Sequence, residues 1–460
     1  MSVATGSTSV PRHQIARWNP EDPEQWSGRQ AWLTLWVTTF SLLLGFMVWY
    51  LVSSVAPLLQ TATIVDKRGA FWLASMPGLA GGLLRLVWMF LPPMLGTRRM
   101  VFWSTLAMIV PMLGWAWILT LEKPAFAALM ALAFLTGIGG GIFSGYMPST
   151  SYFFPKAKQG LALGIQAGVG NFGVSVVQLL TPIFVGWSLF GPASKLYAAH
   201  KDGKQIWLQS APAVIIPLLV IAAVLVFIFL KSVPVKANFR QQIDIFGNKH
   251  TWLMTALYLL TFGIFSGLAG QFGNMLNNMS AHVPTVGWLG GTTIAFLGAF
   301  IGSLARVLWG PFCDRFGGAI WTFVAAIGIA VSTIPVIIAL SRTAVIDVPT
   351  TAAKAQVPLG LFLTGMFAIF FFAGVGNAST FKQMPMIFSP RQAGGVIGWT
   401  AAIAAFGPFI FGIAINALTA SAGNFGRQLL PLFVFILVYA VACVGIAWWF
   451  YARPGAEAKS

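Results

Sequence analysis

The stretch Gly81-Gly82-Leu83-Leu84-Arg85-Leu86-Val87-Trp88 sets one arginine in an apolar run, and Gly302-Ser303-Leu304-Ala305-Arg306-Val307-Leu308-Trp309 repeats Gly, Leu, Arg and Trp at the same spacing. A second set, Phe154, Gly160, Phe172 and Gly173, is matched by Phe388, Gly394, Phe406 and Gly407 at another constant offset. The two offsets differ by a loop-sized insertion. The chain is therefore read as two related halves, each carrying a charge where its neighbours are apolar.

Working outward from these arginines, apolar segments recur near 31–59, 70–95, 101–120, 125–154, 160–187, 212–230, 252–275, 287–312, 320–340, 358–388, 394–420 and 430–451. Each reaches the roughly 20 residues that a bilayer span requires. Helices satisfy their own backbone hydrogen bonds in lipid, so the reading is an all-α integral membrane protein with twelve transmembrane helices in two pseudo-symmetric six-helix bundles. The boundaries are a tail at 1–30, halves at 31–230 and 252–451, a linker at 231–251 and a second tail at 452–460. The first tail lacks the apolar core and cleavage site of a signal peptide, so it is expected to be retained.

Composition agrees. Of 460 residues, 57% are hydrophobic and 8% charged, against about 25% charged in soluble domains, which excludes a soluble enzyme. The 27 Lys and Arg against 10 Asp and Glu give +17, a balance that in a soluble chain suggests nucleic acid. Here the basic residues sort by loop. Arg98, Arg99, Lys156, Lys158, Lys231, Lys236, Arg240, Lys249, Arg315 and Arg391 fall on the side of the termini, while Lys195, Lys201 and Lys204 in the longest opposite loop run against the trend. The positive-inside rule then puts both termini in the cytoplasm. The lipid bilayer is an expected partner, with no nucleic acid and a monomer as the working unit. Trp18, Trp26, Trp32, Trp103, Trp187, Trp207, Trp252, Trp448 and Trp449 lie near span ends, as interfacial anchors do. Cys313 and Cys443 are too few and too separated for a disulfide framework or metal site. No Walker-type phosphate loop occurs, which argues against an ATP-driven pump; no cofactor and no metal are expected.

Arg85 and Arg306 each cost about 2.5–3.5 kcal/mol at a helix centre. The acids Glu21, Asp22, Glu24, Asp66, Glu122, Asp202, Asp244, Asp314, Asp347 and Glu457 all read as tail, loop or span-end residues. Snorkelling or capping of backbone carbonyls is one way to accommodate the arginines. The functional reading is that the missing negative charge is the substrate. Guanidinium is planar, permanently charged and forked, and so matches a flat oxyanion such as nitrate, nitrite or a small carboxylate.

The loop Gly310-Pro311-Phe312-Cys313-Asp314-Arg315-Phe316-Gly317-Gly318 resembles the cytoplasmic motif of the major facilitator superfamily, and Gly96-Thr97-Arg98-Arg99 is a degenerate counterpart lacking the acid. In that architecture the substrate site lies between the halves. Nearly the whole chain resembles the nitrate/nitrite porters of this superfamily, of the NarK type. The resemblance is carried by the tail Trp18-Asn19-Pro20-Glu21-Asp22-Pro23-Glu24-Gln25-Trp26, by the two arginine stretches and by two Gly-rich signatures. One signature runs from Gly137 through Phe143, Phe153 to Lys156 and Gly160 to Gly168-Val169-Gly170-Asn171-Phe172-Gly173. The other runs from Ala373-Gly374-Val375-Gly376-Asn377-Ala378-Ser379-Thr380-Phe381 to Phe388, Gly394 and Gly395. The resemblance implies an anion site in which Arg85 and Arg306 form the clamp, Tyr258 supplies a hydroxyl, Asn171 an amide, and Phe143 and Phe262 the walls above and below a flat ion. Taken alone, the two Phe read equally as helix packing, Asn171 as an interhelical hydrogen bond, and the glycines as small residues at close helix contacts.

An anion entering against an inside-negative potential needs coupling. No acid reads as mid-span, and His13, His200, His250 and His282 read as tail or loop, which favours exchange of nitrate for nitrite. Lys382 departs from the NarK-type pattern and resembles a lysine of assimilatory members, so it either takes part in proton symport or snorkels to the surface. A proton symporter and, from a different class, an anion channel are the alternatives.

Overall fold

The computed structural model describes residues 13–15, 17–121, 123–190, 197–198, 205–233, 243–279, 293–346, 354–421 and 423–458. Glu122, Lys195, His200, Lys201, Asp202, Lys204, Lys236, Arg240, His282 and Asp347, as well as the Arg391 side chain, lie outside them. Spans 1 to 12 are Gly28–Thr61, Lys67–Trp88, Thr97–Ile118, Phe126–Ser151, Lys156–Phe184, Ser210–Phe229, Lys249–Met279, Phe296–Phe316, Gly318–Ser341, Leu359–Ile387, Gln392–Leu418 and Phe425–Ala452. All twelve expected helices are present. Two short antiparallel ladders, Tyr197–Ala198 with Gln205–Ile206 and Ala344–Ile346 with Lys354–Gln356, sit in loops on the side opposite the termini.

Span 2 differs from its expected 70–95. Its helix ends at Trp88 and resumes as the turn Leu91–Leu95, whose Pro92 and Pro93 fit the first positions of a new helix better than the interior of an old one. Gly96 and Gly317, matched positions after spans 2 and 8, adopt φ of 73° and 87°. Each donates its N–H to the carbonyl four residues back, Pro92 and Cys313, at 3.0 Å. The internal repeat thus extends to the turn, and only glycine takes this conformation without strain.

Small residues set the helix separations. A Cβ on Gly374 of span 10 would strike the carbonyl oxygen of Gly302 on span 8 and come within 2.9 Å of Ala305 Cβ. On the other half, a Cβ on Gly139 of span 4 would strike the Gly45 carbonyl of span 1. These close approaches carry the dispersion contacts that hold helices together where lipid offers no hydrophobic drive.

Trp103, Trp187, Trp252, Trp448 and Trp449 are exposed near span ends, as expected of anchors. Trp18 and Trp26 act differently. Their indole N–H groups donate to the Tyr152 and Phe153 carbonyls at 2.9 Å, at the end of span 4. Glu21 accepts from the Lys156 amide at 2.8 Å, capping span 5. The tail therefore satisfies backbone groups left open at two helix termini.

The side opposite the termini is sealed between the first six spans and the last six. Gln60 donates to Asn278 Oδ1 at 3.0 Å, Asn274 to the Ala70 carbonyl at 3.2 Å, Gln271 to Ser75 Oγ at 3.1 Å, Gln178 to the Ala269 carbonyl at 2.8 Å and Tyr50 to the Ser266 carbonyl at 3.1 Å. On the termini side a cavity of about 570 Å³ opens instead, reached past the ends of spans 4, 8 and 10 and the starts of spans 5 and 11. Replacing Gly374 by Val forces spans 8 and 10 apart, and overpacking of this kind costs about 1–3 kcal/mol. We expect a lower midpoint of thermal unfolding in detergent, with the helical far-UV signal retained at low temperature; an unchanged midpoint would contradict the packing.

Candidate functional site

Arg85 leaves span 2 one turn before its break, and Arg306 projects from the middle of span 8; both side chains are fully buried. Arg85 Nε donates to the Gly140 carbonyl at 2.9 Å on span 4, and Nη1 to the Ala401 carbonyl at 2.7 Å on span 11. Carbonyl capping is therefore real at Arg85 but incomplete, because Nη2 has no partner. Arg306 is freer still, with neither Nη1 nor Nη2 hydrogen-bonded. Among the described residues no carboxylate pairs with either arginine. The rings they face touch each other, Phe143 against Phe381 at 6.0 Å between centroids, so the two like charges share one aromatic cluster.

Aromatic faces surround them. The Arg85 guanidinium carbon stands 4.6 Å from the Phe143 ring centroid and 5.1 Å from those of Phe262 and Trp49, and that of Arg306 stands 4.8 Å from Phe381. Phe143 and Phe262 lie nearly parallel, 20° apart with centroids separated by 6.4 Å. The π-turn Leu259–Gly263 interrupts span 7 directly after Tyr258 and contains Phe262. The rings of Tyr258 and Phe262, four residues apart and so on one helix face, stack at 5.4 Å and 5°. The Tyr258 hydroxyl is buried toward both arginines, nearest Arg306, yet stops short of hydrogen-bond geometry.

The structure thus brings together Arg85, Arg306, Tyr258, Phe143 and Phe262 from spans 2, 8, 7 and 4. Asn171 on span 5 is buried with both amide atoms unpartnered, and no hydrogen bond or ring contact ties it to this cluster. Lys382 stands apart. Its Nζ pairs with Asp314 Oδ1 at 2.5 Å, with side chains 32% and 45% exposed, in the wall of the open cavity. Asp314, read from sequence as a span-end residue, is at the end of span 8 but also faces the pathway, so a carboxylate does line the route.

Three contributors were not singled out from sequence. Trp49 and Phe381 supply cation faces to the arginines, and Asn377 lines the cavity together with Arg306 and Phe381. A signal existed for two of them, since Asn377 and Phe381 are four apart and share a helix face. For Trp49 there was none. Among the described residues no cluster of His, Cys, Asp and Glu could hold a metal.

What this arrangement defines is a multi-pass transporter, with a cavity open to one side, sealed on the other, and ending at unpaired positive charge. The family profile of the Major Facilitator Superfamily matches residues 38–352. Over 96% of this chain and 97% of the relative, the sequence is 49% identical to the probable nitrate/nitrite antiporter NarK2 of Thermus thermophilus. Over the same shares it is 32% identical to the nitrate/nitrite transporter NarU of Salmonella typhimurium and 31% identical to NarU of Escherichia coli. The chain belongs to the nitrate/nitrite porter family of the Major Facilitator Superfamily, a family of transporters rather than enzymes.

Because the partners are 32% and 45% exposed, the Lys382 and Asp314 pair is worth little as a staple. A double-mutant cycle with Lys382→Met and Asp314→Asn, read by thermal unfolding, is expected to give a coupling of no more than about 1 kcal/mol. A coupling of several kcal/mol would mean that the pair is buried rather than at the cavity mouth.

Proposed function

We propose that this chain is a secondary active transporter of nitrate and nitrite across a bacterial inner membrane, working as an antiporter by alternating access. The observation that supports this most is the set of three unpartnered guanidinium nitrogens on Arg85 and Arg306, buried without a counter-ion among the described residues. A small anion supplies the missing charge and acceptors. Arg85 and Arg306 act as the clamp, Tyr258 as hydroxyl donor, Asn171 as amide donor, and Phe143 and Phe262 as the flat walls. The aromatic faces suit a weakly hydrated planar ion, since they return no hydrogen bonds to a strongly hydrated one. The names of the relatives point to the same substrates. In this reading both termini are cytoplasmic, the open cavity faces inward, and the monomer suffices.

Moving one anion inward costs about 2.3 kcal/mol per 100 mV of inside-negative potential. Exchange of one monovalent anion for another moves no net charge and needs no proton carrier. Among the described residues no His, Asp or Glu touches the arginine cluster, which favours exchange. The alternative, proton symport through Lys382, draws on the Lys382 and Asp314 pair in the cavity wall.

Arg85→Lys and Arg306→Lys each keep the charge and lose the fork, and a hydrogen bond to a charged group is worth about 1.5–3 kcal/mol. Each should cut nitrate counterflow in proteoliposomes at least about tenfold; exchange at the parental rate in either variant rejects the clamp. Nitrate uptake should require internal nitrite and ignore a protonophore. Uptake that collapses with the pH gradient, and that Lys382→Gln converts to pure exchange, would establish symport in its place. Conductance without any counter-anion would instead indicate a channel.

A further inference from the structure

We propose that Asn377 is a further anion-contacting residue, and that its carboxamide selects the three-oxygen substrate over the two-oxygen one. This rests on the reading of Arg85 and Arg306 as the clamp. Asn377 is fully buried, yet neither Nδ2 nor Oδ1 has a hydrogen-bond partner. Polar neighbours of Asn377 on span 10 have partners, two of them turned toward span 9. Ser379 bonds Thr322 at 2.7 Å, Gln383 accepts from Thr322 at 2.6 Å, and Thr380 donates to the Gly376 carbonyl at 2.7 Å. The open amide is thus particular to Asn377, and it lines the cavity that ends at Arg306.

Depth follows from helix register. Spans 8 and 10 run in the same direction and meet where Gly374 lies against Gly302. Arg306 is four residues beyond that contact and Asn377 three. At about 1.5 Å of rise per residue, the two stand within about 2 Å of the same level. The local sequence is also used twice. Ala167-Gly168-Val169-Gly170-Asn171 and Ala373-Gly374-Val375-Gly376-Asn377 are the same pentapeptide, one from each half. In both, a glycine accommodates span 8, Gly168 against Val307 and Gly374 against Gly302, and in both the asparagine amide is buried and unpartnered. Leaving a buried amide unpaired carries its full desolvation cost. A leucine of similar volume would avoid that cost, so the amide is there for something that arrives.

The chemistry of the arriving ion sets its role. A guanidinium fork matches two oxygens of a planar oxyanion. Nitrate has a third oxygen in the same plane, and nitrite has none. Beside the Tyr258 hydroxyl and the Asn171 amide, the Asn377 N–H, at the level of Arg306 and lining the cavity, is a further donor for that third oxygen. Asn377 therefore matters more for nitrate than for nitrite.

The test uses the full-length protein in detergent, with nitrate and nitrite dissociation constants taken from ligand-induced thermal stabilisation. Asn377→Leu is expected to weaken nitrate about tenfold while nitrite changes less than about threefold, as loss of one hydrogen bond to a charged ligand predicts. Asn377→Ala should shift the ratio in the same direction, and it carries the test if the leucine variant does not fold. A nitrate-to-nitrite ratio equal to that of the parent in a folded variant overturns the proposal, whether both constants move together or neither moves. Arg306→Lys is measured alongside. If it still binds nitrate like the parent, the clamp reading has failed; if it loses nitrate while the Asn377 variants keep the parental ratio, only the present inference has failed.

Discussion

A guanidinium inside a lipid-embedded bundle costs about 2.5–3.5 kcal/mol at the helix centre, and this molecule carries two against one aromatic cluster. The surrounding structure offsets that cost only in part. Arg85 receives two backbone carbonyls, one from span 4 and one from span 11. Four aromatic rings present their faces, each contact worth on the order of 0.5–2 kcal/mol. Even so, three terminal nitrogens are left open. Full compensation would have made a stable core with nothing to bind. In the proposed function, that incompleteness is what gives an anion a reason to enter.

The two arginines are not equivalent, although the chain presents them in matched stretches. Arg85 is held to both halves, because the Gly140 carbonyl belongs to the first six spans and that of Ala401 to the last six. Arg306 has an aromatic face and no hydrogen bond from either terminal nitrogen. A charge tied across the halves is sensitive to their relative position. A charge free at the end of the cavity is accessible to what diffuses in. The pairs that seal the opposite side, from Gln60 with Asn278 to Tyr50 with Ser266, are neutral side-chain hydrogen bonds of modest net value. Such a seal can open without the large penalty of separating buried ions.

Lys382 illustrates how placement changes the meaning of a residue. On the helix it is five positions beyond Asn377 and one beyond Phe381, yet its ammonium reaches Asp314 at the cavity mouth rather than the arginine cluster. Its charge is compensated there. The acid that compensates it comes from the motif after span 8, so the turn that ends at Gly317 also delivers a carboxylate to the pathway.

Much of the fold could be read without coordinates, for a physical reason. Transfer free energy and helix length are sums over a segment, so twelve apolar stretches announce twelve spans, and a lone arginine in such a stretch stands out against its neighbours. The repeat of Gly, Leu, Arg and Trp located both arginines in the same way. Contacts between spans are not sums over a segment. The helix face shared by Asn377 and Phe381 was legible, but among 39 phenylalanines it did not say that this ring lies against Arg306, and nothing local marked Trp49 as a third face on Arg85. The same holds for Trp18 and Trp26, whose indoles proved to cap span 4 rather than meet lipid. What the sequence by itself determined is the number of spans, the internal duplication and the two charges that lipid would not tolerate alone. Only the tertiary structure decided which rings and carbonyls meet those charges, that Asn377 is open while its helix neighbours are satisfied, and which side of the protein is sealed. Those outcomes depend on distances of a few ångström between helices far apart in the chain, which no local pattern records.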